Sequence, residues 1–331
     1  MKSHVRSPSG EGAQSDLAPS PAGGDEPVAD AAQATHGLHP WRWLANAVML
    51  VLLAMFFHML VTNPNFQWDV VAEYFFSTPV LLGVRMTLIV AFVAMTLGIV
   101  LGVVIAVFRL SNVWLLKTVG AAFVWFFRGT PGLVQLIFWF NFAALMPQIS
   151  IGIPFGPEFA SWPTNAIISA FTAAILGLGL HETAYMAEIV RGGLLSVDHG
   201  QSEAAQSLGM RKARVLFRVV LPQAMRSIVP PTGSRSINMV LATSLVSFVA
   251  LADLLYTVQS IYNRTFQVIP LLIVAVLWYL IISSVLFIGQ SYLERYYGRG
   301  SQQAQSTSLL ASLLQVFRGA RGRLTRLMGA S

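Results

Sequence analysis

The sequence predicts an all-α membrane protein, a polytopic bundle of six transmembrane helices. Composition is the first observation: hydrophobic residues make up 55% of the 331 and charged residues only 11%, where a soluble domain carries about 25% charged. Mean hydropathy is +0.64. The second is segmentation. Six stretches reach the roughly 20 mainly apolar residues that a spanning helix needs, at about 44–61, 80–108, 119–146, 165–190, 236–257 and 268–290. The third is periodicity, since none of them alternates with the two-residue period of a barrel strand. Cysteine is absent, which excludes a disulfide framework, thiol catalysis and cysteine-ligated metal.

Residues 1–40 carry Lys2 and Arg6 against Glu11, Asp16, Asp25, Glu26 and Asp30, with almost nothing large and apolar. Such a segment buries too little surface to offset its ordering entropy, so a disordered tail is expected. Residues 41–79 hold the first span and a following loop. The stretch Asn46–Val61 starts late for a signal peptide and no A-x-A cleavage site follows it, which favours a retained helix. The remainder of the chain is basic, and the net charge is +7. No basic stripe is interleaved with exposed aromatics, so loop charges of a membrane protein explain this better than nucleic acid does.

Orientation follows from those loops. Asp69, Glu73 and Glu158 sit in loops lacking Lys or Arg. Arg109, Lys117 and Arg128 crowd one loop and its edges, and Arg191, Arg211, Lys212, Arg214, Arg218, Arg226 and Arg235 crowd another. Only Arg85 and Arg264 fall near the opposite side. The positive-inside rule therefore predicts both termini in the cytoplasm. After the last span, residues 296–331 place Leu309, Leu313, Phe317, Leu324 and Met328 at helical spacing beside Arg318, Arg321, Arg323 and Arg326. This basic amphipathic pattern suits an anionic inner leaflet; Gly319 and Gly322 weaken it, and a frayed, solvated tail is the alternative.

The loop at about 191–235 contains HGQSEAAQSLGMRKARVLFRVVLPQAM, from His199 to Met225. Good helix formers run from Gln201 to Leu208, with Ala204, Ala205 and Leu208 on one side and Glu203 and Gln206 elsewhere. Gly209 stands where a helix takes a left-handed cap. A second helical stretch is expected to end at Pro222. Helices this short are marginal alone, so the apolar side of the first must pack on something, either its own protein or a partner.

Glu203-Ala204-Ala205, three residues, Gly209, nine residues, Val219, one residue, Leu221 and Pro222 resemble the EAA signature of permease subunits of ATP-binding cassette (ABC) importers. The family usually has Ile where this chain has Val219. AYMAEIVRGGLLSV from Ala184 followed by Gly200-Gln201, FFRGTPGLVQL from Phe126, and RVVLPQAMRSIVPPTGSRSINMVLATSLVS are similar to its polar amino acid branch. The resemblance covers about residues 80–295. It implies a type I importer permease core with one extra N-terminal span, in the cytoplasmic membrane of a prokaryote. It also implies a second permease, as homodimer or heterodimer, two cytoplasmic ABC ATPase subunits and an extracytoplasmic amino acid-binding protein. The coupling helix would dock on the ATPase through Gly200, Gln201, Glu203, Ala204, Ala205, Leu208, Gly209 and Pro222. The chain has no G-x-x-x-x-G-K-[ST] and no Gly-Lys pair, hence no phosphate cradle and no cofactor of its own; ATP is expected on the partner.

Other features carry less. HETAY at His181–Tyr185 lacks the second histidine of H-E-x-x-H, which argues against zinc. Glu182, ionisable within a span, reads either as a contact for a substrate ammonium or guanidinium or as a partner for an arginine. Glu188 and Arg191 are spaced for an i,i+3 pair. Arg128 through Pro131 read as a helix-entry turn with Arg128 as a cytoplasmic anchor. The branch commonly shows Lys then Asp or Asn before T-S-L; here Leu241 and Ala242 precede Thr243-Ser244-Leu245. Thr243, Ser244 and Asn141 either line a translocation path with Glu182 or bond within their own helices. His58 reads as a satisfied or interfacial histidine. The expected function is import of a polar amino acid by a non-catalytic permease, the alternative solute being an opine or another amino acid derivative. A secondary transporter and an intramembrane enzyme are the rivals. No inverted repeat supports the first, and the titratable set is thin for the second.

Overall fold

The computed structural model describes residues 40–153 and 158–297. The tails expected over 1–40 and 296–331 lie outside them except at their boundary residues. Two units are distinguished, Met1–Asn63 and Pro64–Ser331. The first contributes α1 (Pro40–Thr62), whose Thr62 hydroxyl donates to the His58 carbonyl at 2.7 Å and lies 3.5 Å from His58 Nδ1.

The second unit opens with α2 (Trp68–Phe75) and α3 (Thr78–Leu110). Pro79 enters α3 in its first turn, where no intrahelical donor is needed. The buried face of α3 is a row of small residues: Gly83, Thr87, Ala91, Ala94, Gly98, Gly102 and Ala106. That row packs on α8 (Ala170–Leu195), the most buried helix of the unit, whose contact face includes Gly179. A Cβ on Gly98 would lie 2.9 Å from the Glu182 Cβ, and one on Gly102 2.5 Å from the Met186 Cβ. In a bilayer, where lipid tails are as apolar as leucine, such close approach supplies the van der Waals contact that holds helices together.

Between these two helices the chain runs through α4 (Trp114–Gly129), α5 (Gly132–Phe140) and α6 (Phe142–Leu145). The stretch 119–146, expected as one span, is broken: α4 and α5 meet at 100°. Pro131 has no N–H, so Phe127 O loses its helical donor, and the extended backbone of Thr130 leaves its own carbonyl outside the helix as well. Gln135 serves both carbonyls, its Nε2 donating to Phe127 O at 3.0 Å, Thr130 O at 3.1 Å and Thr130 Oγ1 at 2.6 Å. An antiparallel hairpin of β1 (Gln148–Gly152) and β2 (Glu158–Pro163) follows, in a loop where no strand is expected from sequence. The one-turn α7 (Thr164–Ile167) closes it; the Thr164 amide donates to Pro147 O at 3.0 Å and its hydroxyl bonds to Met146 O.

After α8 come α9 (His199–Ser207), α10 (Lys212–Val215) and α11 (Leu221–Ala242). The helix beginning at Lys212 does not end at Pro222. A π-helical turn, Leu216–Val220, joins α10 to α11, with Leu221 N–H donating to Leu216 O; its wider ring makes room for the proline that would clash with a regular turn. A 3₁₀ segment, Thr243–Val249, leads to α12 (Leu254–Thr265), bent by 47° from the preceding helix, so the span expected at 236–257 is also broken. The last helix is α13 (Val268–Tyr297). Its Trp278 holds α2, donating Nε1 to Phe75 O at 2.9 Å and stacking on the Phe75 ring at 5.0 Å.

Among the described residues, three helices are long and apolar enough to cross a membrane, or up to five if each bent pair is one span. The remaining expected span, 165–190, corresponds to α8, whose 26 residues are about 39 Å long but carry His181, Glu182 and Glu188.

Replacing Gly102 by valine drives a side chain into Met186 and is expected to destabilise the unit by about 1–3 kcal/mol. Gly192→Ala in the same helix pair meets open space and is expected to be neutral or stabilising by up to about 1 kcal/mol. Thermal unfolding of the detergent-solubilised variants compares the two.

Candidate functional site

The expected coupling helix is α9. Asp198 caps its start, accepting the Gly200 amide at 2.7 Å, and its end closes in a Schellman pair. Gly209 N–H donates to Gln206 O at 2.8 Å and Met210 N–H to Ala205 O at 3.2 Å, with Gly209 at φ +79°. Ala204, Ala205 and Leu208 do not share a side. Ala205 is buried against its own chain, while Glu203, Ala204 and Leu208 face outward, Leu208 being 84% exposed. Gly200, Gln201 and Pro222 are exposed as well, and so is the ring of Phe217 on the π turn. The short helix therefore packs on its own protein through one alanine and leaves a face of mixed charge and apolar surface uncovered.

A charged cluster joins α3 to α8. Glu188 accepts from Arg191, at 3.1 Å from Nε and 2.9 Å from Nη2, which is the expected i,i+3 pair. It also pairs with Arg109 from the end of α3, so the carboxylate joins two helices. Ser196, which caps α8, donates to Ser227 of α11 at 3.0 Å.

Deeper in the bundle, Glu182 is 1% exposed. Its partner is Arg235, whose Nε donates to Oε1 at 2.8 Å and whose Nη2 donates to Oε2, a forked pair. Arg235 is thus no part of the cytoplasmic loop expected over 191–235; it sits inside α11 at the depth where Glu182 meets Gly98 of α3. Its guanidinium also lies 4.0 Å from the centroid of the Tyr185 ring. Arg128 approaches the same ring at 5.1 Å. His181 packs on Tyr185 at 5.2 Å and lies 3.3 Å from Gln135 Nε2. A guanidinium between a carboxylate and an aromatic face gains charge-assisted hydrogen bonds and a cation–π contact together. Half of the sequence signal for this pair was present: an acid within an apolar span needs a base to neutralise it, but Arg235 stands in sequence among the loop arginines.

The other path candidates stand apart. Asn141 ends α5, donating Nδ2 to Ile137 O at 2.9 Å, and lines a depression with Phe140, Asn165 and Ser169. Thr243 is buried and donates to Val240 O at 2.7 Å, and Ser244 donates to Leu241 O at 2.8 Å. Both hydroxyls bond back to their own helix. Among the described residues no hydrogen bond or ion pair joins Glu182, Asn141, Thr243 and Ser244. Asp253, which sequence reasoning missed, is fully buried at the bend before α12. It accepts the Tyr256 amide at 2.8 Å, with the Tyr279 hydroxyl 3.4 Å from its other oxygen, and the Leu254 amide beside it donates to Thr87 of α3 at 3.1 Å. An Asp before an apolar helical run is an N-cap signal.

A bundle of bent and straight spans, tied internally by buried ion pairs and presenting one short capped helix outside it, has the build of a membrane transport subunit. Residues 98–298 match the family described as the binding-protein-dependent transport system inner membrane component, and the chain belongs to that family. It is 40% identical over 277 residues to the arginine transport system permease protein ArgU of Corynebacterium glutamicum, covering 83% of this chain and 86% of that protein. It is 34% identical to the probable amino-acid ABC transporter permease protein YckA of Bacillus subtilis, over 70% of this chain and 97% of the relative. In three dimensions it is similar to a chain of a crystal structure of an amino acid ABC transporter with histidines, at 32% identity and a TM-score of 0.56, covering 66% of this chain and 94% of the other.

Removing one partner of the buried pair leaves the other charge uncompensated. Glu182→Leu and Arg235→Leu are each expected to cost about 3–5 kcal/mol, and the double variant to recover most of that loss. A double-mutant cycle on thermal unfolding measures it.

Proposed function

We propose that the chain is the permease of an ABC importer for a polar amino acid, working with a second permease and two cytoplasmic ATPase subunits that bind and hydrolyse the ATP. An extracytoplasmic binding protein delivers the solute, and both ends of the chain lie in the cytoplasm. The observation that carries this reading is α9, a helix closed by caps at both ends yet leaving Glu203, Ala204 and Leu208 uncovered, in a member of a binding-protein-dependent transport family. Small Ala204 permits close approach of a partner groove, Leu208 supplies apolar area and Glu203 a charged contact.

The connections of α9 make it a lever. Only Ser196, Val197 and Asp198 separate it from α8, and Ser196 is bonded to α11. Displacement of α9 by a partner is passed to α8, to α3 through the glycine contact and Glu188–Arg109, and to α11 through Glu182–Arg235. These ties move the helices as a block, the behaviour that alternating access needs. Polar amino acid is the solute class that fits the relatives, one of which is named for arginine and another for amino acids.

The test is paired. Glu203→Lys is expected to leave membrane abundance normal, because a surface change costs little stability, while ATPase retained after solubilisation and uptake of labelled arginine and glutamine both fall at least tenfold. Gly209→Val is expected to lose both as well, since a β-branched residue strains the left-handed cap. Normal ATPase retention and uptake in both variants would make α9 a plain connector.

A further inference from the structure

Arg85 is exposed on α3, on the side away from the glycine row, and among the described residues it has no hydrogen bond or ion pair. Arg109, near the other end of α3, is neutralised by Glu188. Between the two arginines, residues 86–108 contain no ionisable group; these 23 residues span about 35 Å, close to the roughly 30 Å of a hydrocarbon core. The two arginines therefore mark the two headgroup layers, and only Arg85 meets its layer without a protein partner. Its surroundings have the shape of an amphiphile. Leu88, Ile89 and Phe92 follow it at i+3, i+4 and i+7 on one face, running from the boundary into the membrane, and they line a shallow apolar depression with Leu81, Val84 and Arg85 itself.

We propose that this depression is a phospholipid site in the leaflet at the α3 N-terminus, Arg85 holding the phosphodiester and the Leu88, Ile89 and Phe92 stripe receiving an acyl chain. A forked guanidinium matches phosphate oxygens better than an ammonium does, and an arginine at a helix end places its charge at the headgroup level while its stem stays in apolar contact. The proposal concerns a face of α3 opposite the glycine row, away from α9 and from Glu182.

The protein, purified in dodecyl maltoside, is analysed by native mass spectrometry and by thermal unfolding with added phosphatidylglycerol or with a diglucosyl diacylglycerol of the same chains. Wild type is expected to retain one phospholipid per chain and to unfold at a higher temperature with phosphatidylglycerol but not with the glycolipid. Arg85→Gln is expected to lose at least fivefold of the retained phospholipid and the temperature rise, with unchanged unfolding in lipid-free detergent. If Arg85→Gln does not accumulate, the contrast between the two lipids on wild type decides alone. Equal retention in wild type and variant, or an equal response to both lipids, overturns the site. Because the chain has no cysteine, Ile89→Cys is a single-thiol reporter in native membranes: no disulfide-linked dimer is expected, and efficient dimer formation overturns the proposal by showing that a second copy covers this face.

Discussion

The approach of α3 to α8 through glycine is the constraint on which the rest of the second unit depends. With Gly98 against Glu182 and Gly102 against Met186, the two backbones lie nearer than side chains would allow. That proximity brings a carboxylate of α8 within reach of an arginine on α3, and a second carboxylate of α8 pairs with an arginine on α11. Glu188 reaches Arg109 of α3, and Glu182 reaches Arg235 of α11. Larger residues in the glycine row would push α3 outward and weaken the first of these contacts.

The Glu182–Arg235 pair addresses one physical problem. A charge at mid-membrane costs a few kcal/mol on insertion scales, and the cost falls when the partner is held in fixed geometry with its remaining donors used. Arg235 uses both sides of its fork on Glu182 and lays its plane beside Tyr185. The same economy appears where backbone is interrupted. Gln135 serves the carbonyls released at the Pro131 break, and Asp253 serves the amide at the start of α12. Each departure from a straight span is matched by a polar side chain that satisfies the backbone it exposes, as a low-dielectric surrounding demands.

Hydropathy made the spans legible because length and composition decide whether a segment can cross a bilayer, and 80–108 and 268–290 correspond closely to α3 and α13. Breaks were less legible. Pro131 looked like a helix entry, which it is for α5, but the 100° turn also depends on the packing of α5 against α8, which is distant in sequence. The cap at Gly209 could be read because a left-handed residue has a local signature, whereas the separation of Ala205 from Ala204 and Leu208 depends on where α10 and the π turn lie. Arg235 was misplaced for a related reason: counting arginines as loop markers ignores that a base can enter the membrane with an acid from another helix. The hydroxyls of Thr243 and Ser244 could be expected to bond to the preceding turn, but that each takes the carbonyl three residues back goes with the 3₁₀ geometry that begins at Thr243.

The π turn at Leu216–Val220 also sets the rotational phase of the chain. In an unbroken α-helix Val215 and Ala224, nine residues apart, point in opposite directions, since nine steps of about 100° leave them about half a turn out of phase. Both are buried. One residue absorbed in the wider ring turns the later helix by about 100° relative to the earlier one and brings the two buried positions toward a common side. The segment that α9 rests on and the segment that enters the bilayer thus keep independent facings along a shared axis, and moving the bulge along the sequence would re-aim one of them without translating either.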